Sequence, residues 1–109
     1  MDTSQIKDYT VRFHGGSAGL NTGIRAQIHL LEQGGGLRGW IDFYDEGRMI
    51  PEDKLTGKHV AISLPMNCLG WVVDILRNED PIFLYWQAKL SKGYLGTSRE
   101  PVGEGERDD

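Results

Sequence analysis

The 109-residue sequence predicts an α+β domain, a mixed and mainly antiparallel sheet of five or six strands with one main helix on one face. Three observations carry this expectation. Apolar residues alternate in several short runs, as in half-buried strands; a single stretch, about 65–78, changes to helical spacing; and turn residues separate the runs. Strands on both sides of one helix favour segregated layers over a regularly alternating α/β fold.

The central unit is His59 to Leu90. Val60, Ile62 and Leu64 alternate with His59, Ala61 and Ser63, a strand that stops at Pro65. Proline suits a first helical turn because it needs no amide donor there, and Ser63 or Asn67 offers a side-chain oxygen for a cap. Met66, Leu69, Val72, Val73 and Leu76 then form one stripe, widened by Trp71 and Ile75, opposite Asn67, Gly70, Asp74, Arg77 and Asn78. Asn78-Glu79-Asp80-Pro81 ends the helix, since a residue preceding proline disfavours helical geometry. Ile82 to Lys89 is rich in β-formers. The short linkers imply a right-handed crossover between two parallel strands, with all seven apolar helical side chains on the sheet.

Before this unit, Asp8 to His14 alternates, with Tyr9, Val11 and Phe13 predicted inward. A glycine-rich loop, 15–23, leads to a strand over 24–33 with Ala26, Ile28 and Leu30 inward. Gly34-Gly35-Gly36 turns the chain into Leu37–Tyr44, with Ile41 and Phe43 inward. Asp45-Glu46-Gly47 is a hairpin signal, Arg48–Ile50 a short return strand, and 52–58 a polar loop. After the central unit, Ser91-Lys92-Gly93 turns the chain into a last edge strand, Tyr94–Ser98.

Residues 1–99 are expected to form one domain followed by an acidic tail, 100–109. Five of the 16 acids and one of the 12 bases fall in that tail, so 11 of each remain and the body is neutral. Charge balance and the absence of a Lys/Arg run supply little of the counterion release that drives nucleic-acid binding, so such a partner is not expected. A single cysteine makes no intramolecular disulfide, which suits a cytoplasmic setting, and neither a leader nor a membrane-length apolar run is read.

No motif implies a cofactor. The glycine loop lacks G-x-x-x-x-G-K-[ST] and G-x-G-x-x-G, and it joins strands rather than opening a helix, so a plain loop is favoured over an anion cradle. No paired-ligand spacing joins His14, His29 and His59; matched registers set His14 opposite Arg25, roughly 13 Å along the strand from His29, too far to share one metal ion. Cys68 near a helix start is the weak catalytic candidate, but a packed, inert thiol is the plainer reading. The carboxylates Asp42, Asp45, Glu46, Glu79 and Asp80 sit in or beside turns and are explained by turn chemistry.

The strongest functional signal is an outward sheet face carrying Arg12, His14, Arg25, Gln27, His29, Arg38, Trp40, Asp42 and Tyr44, joined by Phe83 and Tyr85 or by Leu84 and Trp86. Arginine and aromatic side chains concentrate the binding energy of protein interfaces, whereas an ordinary wet sheet face needs neither. The expected function is therefore a non-enzymatic interaction or regulatory role, as a homodimer in which Arg12 or Arg38 meets the partner's Asp42. An enzyme using Cys68 or a His/Arg-lined subunit interface is the competing class, and a single-strand nucleic-acid binder the third. The stretch Gly93 to Glu106, following Pro81 to Trp86, resembles the ending of a group of short uncharacterised bacterial proteins. That resemblance covers about a third of the chain, implies a small single-domain bacterial protein, and carries over no catalytic residue. It also allows residues 100–102 to be an ordered extension rather than part of a loose tail.

Overall fold

The computed structural model describes residues 2–16 and 23–98. The expected acidic tail and most of the glycine loop lie outside the described residues. The elements are β1 (Asp2–Ile6), β2 (Asp8–Phe13), β3 (Ile24–Leu31), β4 (Leu37–Tyr44), β5 (Lys54–Thr56), β6 (His59–Pro65), a 3-10 turn (Met66–Cys68), α1 (Leu69–Asn78), β7 (Ile82–Gln87) and β8 (Lys92–Thr97). The fold is α+β, as expected, but its strands form two sheets. A five-stranded mixed sheet runs β2-β3-β4-β6-β5, and a three-stranded antiparallel sheet runs β1-β7-β8.

β3 and β4 make the centre because their alternation is strict. Ala26, Ile28 and Leu30 are buried in register with Phe43, Ile41 and Gly39 of β4. α1 and the small sheet together cover this inner face. Its core joins those side chains to Val60, Ile62, Val72, Ile82, Leu84 and Trp86. Two glycines allow the layers to close. A Cβ on Gly39 would strike the Val60 carbonyl and lie 2.7 Å from Leu84 Cδ2, and one on Gly93 would lie 2.6 Å from Val60 Cγ1.

Several expectations change. β6 does not cross over to a parallel β7; its parallel partner is β4, reached by way of residues 45–58, a connection long enough for such a crossover. β5 takes the other edge of β6, and β7 lies between β1 and β8. β1 was not anticipated. Its polar residues alternate weakly, and Ile6 is its buried apolar anchor. The short return strand is Lys54–Thr56 rather than Arg48–Ile50, within the stretch expected to be loop.

The helix occupies the expected stretch but buries less than its stripe allows. Val72 is buried and Met66, Leu69, Val73 and Leu76 pack partly against the core, whereas Trp71 is 76% exposed and Ile75 is also exposed. Neither the 3-10 turn nor α1 has a side-chain cap, so Ser63 and Asn67 do not play that part. On β2, Tyr9 packs on the core, but Val11 and Phe13, expected inward, are 41% and 61% exposed. β2 is the outermost strand, and α1 runs beside those two residues with an open groove between them.

Candidate functional site

The face of the five-stranded sheet turned away from α1 carries no second layer among the described residues. Strand register arranges it in two transverse rows. Thr10, His29, Trp40 and Ala61 lie side by side in one row; Arg12, Gln27, Asp42 and Ser63 form the next. Each row takes one residue from each of four strands because successive side chains alternate between faces and neighbouring ladders keep the parity.

The first row is the aromatic one. Trp40 is half-buried, with His29 on one side and the small Ala61 on the other. The His59 ring sits 5.8 Å from the Trp40 ring, tilted by 42°. The indole thus has an imidazole against it from β6 and His29 opposite it in register on β3, while part of its surface stays open. Arg12 stands exposed at the β2 end of the second row.

The second row is joined by hydrogen bonds. His14 Nε2 lies 2.9 Å from the Gln27 Oε1 acceptor, and Gln27 Nε2 donates to Asp42 Oδ1 at 2.9 Å. The chain His14–Gln27–Asp42 links the residue that follows β2 to side chains of β3 and β4. Tyr44, expected outward, is buried beside Asp42 and Ser63. Burial, then the neighbouring Asp42 carboxylate, pushes its phenol pKa up, against a hydrogen bond with Ser63. Its hydroxyl is therefore a neutral hydrogen-bonding group rather than an acid.

Two arginines from the expected surface have other work. A register shift separates Ile24 from Ala26, and at that bulge Arg25 donates through Nε and Nη2 to both oxygens of Asp45, at 2.9 and 3.0 Å. Its Nη1 donates to the carbonyls of His14 and Gly16. Arg25 thus clasps the β2 end of the glycine loop to the turn after β4. The hydrogen bond from Arg25, with its charge, holds the Asp45 carboxyl below the usual range, and Asp45 raises the Arg25 pKa in return. A second shift, between Leu30 and Leu31, leaves Arg38 opposite no β3 residue, and its Nε donates to Ser4 Oγ of β1. Arg38 therefore ties the two sheets together.

Of the aromatic residues in β7, none joins this face. Leu84 and Trp86 enter the core; Phe83 and Tyr85 lie on the far side of the small sheet, where Tyr85 stacks on Tyr94 at 4.6 Å. The face gains instead His59, Ala61 and Ser63, which the sequence assigns to one side of their strand but could not assign to this sheet. The parallel β4–β6 pairing brings them in.

Cys68 is half-buried against the core, and its Sγ lies 3.6 Å from Asn67 Oδ1. Among the described residues no histidine or carboxylate hydrogen-bonds to it, and no group of His, Cys, Asp and Glu is arranged to hold a metal ion. No helix among them is long and apolar enough to cross a membrane. Comparison with protein-family models, curated proteins and solved structures finds no match to this chain.

Proposed function

We propose that this chain is a non-enzymatic binding protein whose open sheet face docks a protein partner around Trp40. The observation that supports this reading is the indole itself, half-open on an uncovered sheet and flanked by His29 and His59, with Arg12 at the rim. A sheet face that only meets water needs no tryptophan there, whereas a rigid aromatic beside arginine is the usual make-up of an interface centre. The hydrogen-bonded row beside it presents a fixed polar pattern to the same partner.

Face-to-face self-association has less to recommend it. Asp42 accepts a hydrogen bond from Gln27 and Arg38 donates one to Ser4 on the other sheet, so two of the three side chains expected to meet across copies are already held within one. Charge balance in residues 1–99 argues for protein over nucleic acid, and the lone cysteine fits a cytoplasmic setting.

The test is affinity capture on immobilised protein, followed by titration of each recovered partner against wild type and Trp40→Ala. Loss of a central tryptophan is expected to weaken binding by about 2 kcal/mol, roughly thirtyfold, while the melting temperature changes little. Partners that bind both proteins equally would remove the face from consideration.

A further inference from the structure

β2 is the outer strand of the five-stranded sheet, and no described residue pairs with its far side. His14 N donates to the Arg25 carbonyl, so in the antiparallel ladder the amides of Arg12, Thr10 and Asp8 also face β3. Those of Tyr9, Val11 and Phe13 face away. The opposite edge of this sheet, β5, is only three residues long, carries Lys54 and is followed by Lys58, features that discourage strand addition. β2 has six residues and neither lysine nor proline.

The strand is also complementary to itself. We propose that two copies of this chain join β2 to β2 in antiparallel fashion about a two-fold axis through Thr10, making one continuous sheet. In that register Tyr9 of each copy lies opposite Val11 of the other, and their outward amides and carbonyls bond each other. Asp8 lies opposite Arg12 of the second copy, twice by symmetry, so both charges are met. Moving the axis to Val11 would set Asp8 against His14 and leave Arg12 opposite Thr10.

Apolar surface runs alongside the same edge. Val11 and Phe13 of β2 and Leu69 and Val73 of α1 line a groove whose rim carries Asp74 and Arg77. The inward side chains of the second copy's strand would lie over this groove, covering Val11 and Phe13, which the single chain leaves exposed. The interface uses the sheet edge and its inner side. On the outer side it engages Arg12, at the rim of the Trp40 face, and leaves Trp40 itself uncovered, so it would set two such faces on one surface.

The experiment is native mass spectrometry and sedimentation of the full chain. Wild type is expected to be a dimer. Asp8→Arg and Arg12→Asp each place like charges opposite one another twice, which should raise the dissociation constant on the order of tenfold or more. An equimolar mixture of these two variants restores opposite charges at both positions and should form a heterodimer. Val11→Pro removes an amide donor that β3 does not use, so circular dichroism should stay unchanged while the dimer is lost. A wild-type chain that stays monomeric at about 100 μM, well above a micromolar dissociation constant, overturns the proposal. So does a dimer that persists in both charge variants, a mixture that does not pair, or a dimer broken by Trp40→Ala and untouched by Val11→Pro.

Discussion

Gly39 and Gly93 mark where the two layers touch, and in each case the missing methyl is what permits contact. Gly39→Ala would drive a Cβ into the Val60 carbonyl and the Leu84 side chain, and the carbonyl belongs to a strand that cannot yield without moving β6. The expected cost is about 1–3 kcal/mol, read from the midpoint of denaturant unfolding. Arg25 and Asp45 give a residue-scale prediction of another kind. The Asp45 carboxyl is held below its ordinary value of 3.8, so the unfolded chain takes up its proton first as pH falls. The stability this pair supplies is therefore present above that value and is lost as pH drops through the lower, folded one. Asp45→Asn should flatten that part of the acid-unfolding curve and leave the neutral-to-alkaline part parallel to wild type. An unchanged acid limb would mean that the clasp contributes nothing measurable to folding.

Among the elements, β3 and β4 were legible in the sequence because each residue's role follows from parity alone: Ala26, Ile28, Leu30, Ile41 and Phe43 go in, and His29 and Trp40 go out. Parity is local information. It says which face a side chain takes but not which strand lies alongside, so the division into two sheets and the placing of β7 beside β1 could not be read. Bulges defeat it for a related reason. One unpaired residue breaks the pattern around it, and Arg25 and Arg38, which leave the expected surface, are the two residues without a partner in the β3–β4 ladder. The helix shows the same limit, since periodicity gave its stripe but not how far the sheet reaches beneath it. Phe43→Ala should cost about 3–5 kcal/mol, because its ring is fully buried between the layers. Trp71→Ala, which the stripe would have marked as a core change, should fall within about 0.5 kcal/mol of wild type. Thermal or urea unfolding of the two variants decides whether the exposed flank of α1 is as idle as its position implies.

On the scale of the whole molecule, the chain builds one large sheet and then covers it with what comes later. Residues 8–65 contribute all five of its strands, while α1, β7 and β8 supply most of the covering layer. β1 belongs to that covering layer too, since Asp2–Ile6 pair with Ile82–Trp86, and Lys7 alone links β1 to β2. This closure of first strand on seventh has a consequence for a chain made from its amino end. While residues 69–97 are still being synthesised, the inner side of the large sheet has no cover and β1 has no strand to pair with. The finished layer must then assemble through contacts distant in sequence, a topology that slows folding and prolongs the exposure of apolar surface. Newly made chains of this protein would therefore depend on chaperones most between the completion of β6 and the arrival of β7 from the ribosome.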